Sequence, residues 1–517
     1  MGAVAGESRV EGRSAARSRR GWLLGSLLAA ASAVVLFAAP VASADPGKPD
    51  LSFGSRGWVS VSVDPGAQPV LRDMLRLPDG KLLAGGSGGS GAGILARFLA
   101  DGALDGTFGS HGIARTEHSS WAKLVPQADG KIVAFGSSGK DAAVARLNPD
   151  GTLDAGFGEG GIRVLDVRGQ FRKTEASLEA RGAGADSQGR IVAVVGVGAC
   201  SLDDEGIDNV KSFGWISDLC GDTAIVRLTS SGDLDPAFGA GDGIRIVTPG
   251  GKQIVATLAP DDGILIASVI FEDSGDVDVP NQSFRILRRL GPDGLPDTAF
   301  GDSSWVSFED ELEYPMAGLL DAADDGTITA TFGSSAIRLM KDGSGDDDFG
   351  QAGQLRFETL SRASRLGLSL SFGDGTVTDR HVYLAGIATG RKKSAGRRAV
   401  VARLNLDGKL DPTFSNDGLA STWIGEALPE KMLDRRVGLA GGALLVDERG
   451  RAIVGVTGGS VADLRFTFGR FQGGEGRRLR CNGVPATVQG TPGDDKLVAG
   501  EVTVTGAGDD TVKKGGA

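Results

Sequence analysis

The sequence predicts an all-β fold: a seven-bladed β-propeller of four-stranded blades, closed by its N-terminal strand and followed by a short Gly/Asp-rich, β-roll-like tail. Three observations carry the prediction. A fourteen-residue phrase recurs six times without a gap, each copy follows two apolar runs joined at a tight turn, and half-copies at the two ends of the chain complete one another. Gly supplies 83 of 517 residues, more than twice the average share of about 7 %, while 40 % of the residues are apolar. That balance implies many turns around a real core. Length alone would suggest several domains, but internal repeats override that prior.

Residues 1–44 come first and have the order of a secretion signal. Five arginines (Arg9, Arg13, Arg17, Arg19, Arg20) precede an apolar run from Trp22 to Phe37, and "ASA" ends at Ala44, where cleavage is expected. The alternative is an uncleaved membrane anchor, although the run is near the lower limit for spanning a bilayer. "SRRGWLL" at 18–24 resembles a twin-arginine signal, and general export suits the segment equally well. Removing residues 1–44 takes the net charge from −11 to −14, with 50 basic against 64 acidic side chains. Such a surface argues against nucleic acid as a partner. The expected product is secreted or held at the cell surface, monomeric, with no membrane span after cleavage.

Residues 45–474 form the repeat region. The copies are "ARFLADGALDGTFG" from Ala96, "ARLNPDGTLDAGFG" from Ala145, "VRLTSSGDLDPAFG" from Val226, "RRLGPDGLPDTAFG" from Arg288, "IRLMKDGSGDDDFG" from Ile337 and "ARLNLDGKLDPTFS" from Ala402. In each, an Arg (Arg97, Arg146, Arg227, Arg289, Arg338, Arg403) stands eleven residues before a Phe, and an Asp stands three before it. The register survives unit lengths of 49, 81, 62, 49 and 65 residues. Turns such as "PDGK" at 78–81 and "ADGK" at 128–131 separate apolar runs, and Asp-Gly there signals a hairpin because Gly accepts positive φ. Four short antiparallel strands per unit describe a propeller blade. Arg470 in "GRF" is a seventh Arg with no Phe-Gly after it, and Asp50 with Phe53 is a seventh Asp-x-x-Phe with no Arg before it. Closing the ring through these ends removes an open, aggregation-prone edge.

This pattern resembles the delta-60 repeat of secreted bacterial proteins over residues 49–471. The resemblance implies the propeller and brings no agreed enzymatic activity. The departures are Ser415 after the sixth Phe, "VTDRH" at 377–381 in place of an Asp-Gly turn, and a long insertion in the third unit. That insertion carries Cys200 and Cys220, whose short loop is the expected disulfide in an oxidising compartment. Cys481 is left without a partner.

The seven-fold Arg and Asp read as structural, since one active site has no use for seven copies of a residue. His111, His118 and His381 show no metal-ligand spacing, and neither a GxSxG elbow nor a phosphate loop is present. Solvated loops account for "EDELE" at 309–313 and "GRKKSAGRR" at 390–398. The Cys200–Cys220 insertion is the better candidate for recognition.

Residues 475–517 form the tail. "GTPGDDKLV" at 490–498 and "TGAGDDTVK" at 505–513 resemble the haemolysin-type (RTX) nonapeptide, a parallel β-roll repeat that binds calcium. The resemblance implies Gly493 and Gly508 as turn glycines, Asp495 and Asp510 as ligands, and Leu497 and Val512 as inward apolar residues, with calcium matched to an all-oxygen set. Spacing of fifteen residues departs from the regular roll. The functional expectation is a non-enzymatic binding module whose extracellular ligand is a glycan or envelope component. The competing reading is a propeller-type hydrolase or lyase with its site in the central channel.

Overall fold

The computed structural model describes residues 46–473 apart from 66–68, 90, 118, 168, 170–177, 198–221, 248–251, 273–281, 311–316, 333–334, 364–367, 391–396, 424–442 and 461–462; beyond them it describes only short strands. Seven four-stranded antiparallel sheets make seven blades. Their innermost strands are Val70–Arg76, Ser119–Pro126, Leu178–Ala185, Lys252–Leu258, Ala317–Ala322, Leu368–Val377 and Ala443–Val446. Each of these contacts the next, and the seventh contacts the first, so the blades form a ring.

The strand after each Phe-Gly is the outer strand of the blade that ends there. Ile113–Thr116, for example, pairs with the Arg-bearing strand Gly93–Phe98. The seventh blade is made the same way from both ends of the chain: Trp58–Val61 pairs with Asp463–Phe471, with Trp58 opposite Gly469. A β-carbon at Gly469 would collide with the Trp58 indole, so glycine leaves the indole its place, edge-on to Phe471 at 6.0 Å between centroids.

The core is shared out among seven apolar clusters, one per pair of neighbouring blades. Each contains one repeat Phe. Phe53 fills that role between the seventh and first blades, and like its six counterparts it is at most 1 % exposed. Third strands are buried along their length, as in "TAIVRL" at Thr223–Leu228, because both faces pack on neighbouring blades. One helix, Phe357–Ala363, lies among the described connections.

In the tail, Lys496–Val498 runs parallel to Thr511–Lys513 with Leu497 opposite Val512, and Val488–Gln489 runs parallel to Thr503–Val504. Gly493, Asp495, Gly508, Asp510, Cys200, Cys220, His118 and residues 1–45 lie outside the described residues.

Candidate functional site

The repeated motif occupies one face of the ring. Asp105 Oδ1 accepts from the backbone N–H of Thr107 at 3.1 Å, fixing its own turn, while Oδ2 accepts from Arg97 Nε at 2.8 Å. A shorter-reaching acidic residue suits this double duty, since Asp bonds the backbone two residues on. The Arg97 guanidinium lies 4.6 Å from the centroid of Phe108, and its Nη1 donates to the Pro149 carbonyl in the turn of the next blade. Arg227 reaches Pro292 O at 2.6 Å, Arg338 reaches Leu406 O at 2.8 Å, and Arg470 reaches Ala100 O at 2.6 Å. Planar, multidentate guanidinium makes this bridge possible.

Two further details complete the clamp. The lysine of each "DGK" turn joins the same carboxylate, with Lys81 3.1 Å from Asp105 and Lys131 3.0 Å from Asp154. In the sixth blade His381 takes that place at 3.2 Å from Asp411, which explains how "VTDRH" substitutes for the usual turn. The Gly after each Phe donates its N–H to the next blade's turn: Gly54 to Asp101, Gly109 to Asp150, Gly158 to Ser231, Gly239 to Asp293, Gly301 to Asp342 and Gly350 to Asp407. Ser415 donates to Pro46, so an N-terminal residue completes the seventh link. These positions have positive φ; Gly109 is at 52° and Ser415 at 55°, where a side chain is disfavoured. Arg289 departs from the rest, pairing with Asp297 at 2.7 Å and Asp261 at 2.6 Å.

Five motif carboxylates, Asp50, Asp105, Asp154, Asp235 and Asp411, are held below the usual range. Hydrogen bonds from Thr107 hold Asp105 well below the usual range, and a Lys131 hydrogen bond leads the set that lowers Asp154 to about 2. All of this chemistry is consumed in joining blades.

The central channel carries a different set. β-Bulges in the innermost strands, between Leu71 and Asp73, Trp121 and Lys123, and Phe372 and Asp374, precede three charged residues. Lys123 Nζ is 3.8 Å from Asp73, and its charge also acts on Asp374 of the sixth blade. The second and sixth blades are not neighbours, so this interaction crosses the channel. Asp73 Oδ2 accepts the N–H of Leu124 at 2.8 Å, and Asp374 Oδ2 accepts that of Leu444 at 2.7 Å, each from the following blade. Burial raises both carboxyls, Asp374 up to about 6, while Lys123 pulls them down; Asp73 in turn raises Lys123. Nearer the strand starts, Arg181 pairs with Glu179 at 2.8 Å, and the Glu179 charge reaches Arg72 of the first blade.

Strand alternation puts the irregular connections on the face opposite the motif. There the chain leaves the sheets toward 198–221, 273–281, 311–316 and 391–396, the stretches that include the cysteine insertion and parts of the acidic and basic loops. The glycine-rich hairpin after Ser87 is on the same face, where Gly89 N donates to Asp64 Oδ2 at 3.2 Å and Arg115 pairs with Asp64 at 2.8 Å. Among the described residues no group of three or more His, Cys, Asp or Glu could hold a metal, and no helix is long and apolar enough to cross a membrane.

Three stretches of the chain, residues 77–108, 127–157 and 378–414, match the family described as "Domain of unknown function (DUF5122) beta-propeller". Each matched stretch ends on a repeat Phe, at Phe108, Phe157 and Phe414. No curated protein matches. Similar solved structures include a protein of unknown function from Bacteroides caccae (10% identity, 66% of this chain and 96% of that one, TM-score 0.33), the polysaccharide lyase Uly1 (10%, 77% and 89%, 0.38) and a protein from Lactobacillus plantarum (9%, 76% and 89%, 0.37).

Sequence reasoning missed Asp73, Lys123 and Asp374. Their signal is a charged residue at one fixed distance before the hairpin turn, visible once "VLRDMLR" and "SSWAKLVP" are aligned on their turns.

Proposed function

We propose that the protein is a secreted or cell-surface binding module that takes an extracellular ligand, a glycan or an envelope component, at the channel mouth opposite the motif face. One observation carries the reading: the channel charges compensate one another. Lys123 lies between two carboxylates that also accept backbone N–H groups, an arrangement suited to holding ring register and meeting polar ligand groups. Arg72, Glu179 and Arg181 supply polar contacts at the mouth. The test is a screen of the protein against glycans and envelope components, repeated with Arg72→Ala. Binding that weakens at least tenfold in the variant supports the reading, and binding unaffected by it rejects the mouth as the site.

A second reading rests on Asp374. A carboxyl raised to about 6 beside a lysine suits proton transfer, and favours an extracellular hydrolase or lyase. Turnover of a bound saccharide or lactone that Asp374→Asn abolishes would decide for it.

The tail adds calcium to the proposal, with Asp495 and Asp510 as ligands and Gly493 and Gly508 in the turns. The parallel register of Leu497 with Val512 supports stacked turns of that type. Calorimetric titration should give calcium heat at millimolar ion that Asp495→Asn with Asp510→Asn removes; no heat in the parent protein ends the idea.

A further inference from the structure

Eight buried side-chain nitrogen or oxygen atoms of the described residues lack a hydrogen-bond partner, and five of them fall between the third and fourth blades. They are Arg181 Nε, Thr223 Oγ1, Arg245 Nε, Ser268 Oγ and Arg288 Nε. Register places them on facing surfaces. Ile225 of the third blade packs toward the fourth, and Arg245 lies opposite it across the strands, with Thr223 two residues along on the same face. On the fourth blade Ile266 packs toward the third and lies opposite Arg288, with Ser268 two residues along. Arg181 Nε borders the same space, 3.1 Å from where a β-carbon on Gly196 would stand.

This interface is unlike the other six. The residue before the motif Arg, Arg288 here, is elsewhere Ala96, Ala145, Val226, Ile337, Ala402 or Gly469. Thr223 and Ser268 are wholly buried. Neither Arg245 nor Arg288 has an ion pair among the described residues, and burial depresses the Arg288 pKa. A water molecule can satisfy a buried hydroxyl, but it does not neutralise two half-buried guanidiniums whose Nε atoms are out of reach of solvent.

We propose that this crevice binds an oxyanion, a carboxylate, sulfate or phosphate that is free or borne by a larger ligand. Arg245 and Arg288 supply the charge, and the hydroxyls of Thr223 and Ser268 donate to the same oxygens. Charge-assisted bonds to guanidinium give such an ion both neutralisation and direction. The described chain leaves the third blade after Val197 and re-enters it at Thr223, which is itself part of the site. Arg181 borders both this crevice and the channel mouth, but the groups that would hold the anion, Arg245, Arg288, Thr223 and Ser268, are not those of the mouth, so the proposal stands whether or not a ligand binds there.

The test is calorimetric titration of the purified protein with sodium sulfate, sodium phosphate and sodium acetate at matched ionic strength. The proposal expects saturable binding of at least one of them, weakened tenfold or more in Arg288→Ala and in Arg245→Ala. Alanine already occupies the Arg288 position in three other blades, so that variant is expected to fold, and to melt higher than the parent without anion. Should it fail to fold, Arg245→Met and Thr223→Val carry the same test. A preference for sulfate and phosphate over acetate identifies a tetrahedral ligand, and the reverse a carboxylate. No saturable binding of any probe, or affinity unchanged in the variants that fold, overturns the proposal.

Discussion

Arg470→Ala should open the ring at its only seam between chain ends. In the native protein Arg470 Nε donates to Asp50 at 2.8 Å, Nη2 to Ser52 Oγ at 2.9 Å and Nη1 to Ala100 O at 2.6 Å, and the guanidinium covers Phe53 at 4.6 Å. Asp50 is 3 % exposed, so losing its partner strands a buried carboxylate. Breaking a buried pair costs about 3–5 kcal/mol; Arg451, 3.4 Å from the same carboxylate, places this case near the lower figure. Unfolding entropy of about 2 cal/mol/K per residue over the propeller converts about 3 kcal/mol into a fall of roughly 3 °C. Differential scanning calorimetry reads the shift, and limited proteolysis should show new cleavage near Asp50. A fall below about 1 °C on that same entropy scale, with no new cleavage, would refute the reasoning.

Four further outcomes are expected. Ser415→Gly should raise the melting temperature slightly, because the left-handed backbone costs a side chain about 1 kcal/mol; a lower value would show that the Ser415 side chain compensates. Acid should destabilise the ring as pH falls below the unfolded carboxylate value near 4, since Asp50, Asp105, Asp154, Asp235 and Asp411 have lowered native pKa values and their contribution is lost on protonation. Asp374 has the opposite sign: its raised pKa makes ionisation cost stability as pH rises from about 4 to about 6, so a carboxyl resonance titrating near 4 would contradict its placement. On the proposed export, N-terminal sequencing should begin at Asp45, before the Pro46 carbonyl that Ser415 bonds; a start beyond Pro46 would contradict the seventh link.

The ring and its closure were legible because Arg97, Asp105 and Phe108 keep fixed spacing even where neighbouring loops vary, and Phe53 and Arg470 obey the same spacing across the two ends. Which blade a strand such as Ile113–Thr116 completes was legible only at the seam, where the strand after Phe53 has no other blade to join; elsewhere it could pair with the strand before or after it. Asp73, Lys123 and Asp374 meet only after bulges turn three distant strands toward one axis, and no linear pattern records that. Arg288 was visible as the sole charged residue in its aligned column, yet its meaning required knowing that this column faces the preceding blade. The long insertion around Cys200 and Cys220 drew attention in the sequence, and the described chain re-enters the third blade after it at Thr223, part of that same crevice.

The most direct test of the closed ring is deletion of residues 45–63, which removes Phe53, Trp58 and the strand that completes the seventh blade. Calorimetry of the deleted protein should show cooperative loss of stability across all blades, largely restored by adding the 45–63 peptide in trans. An unchanged melting curve would contradict closure by the N-terminal strand.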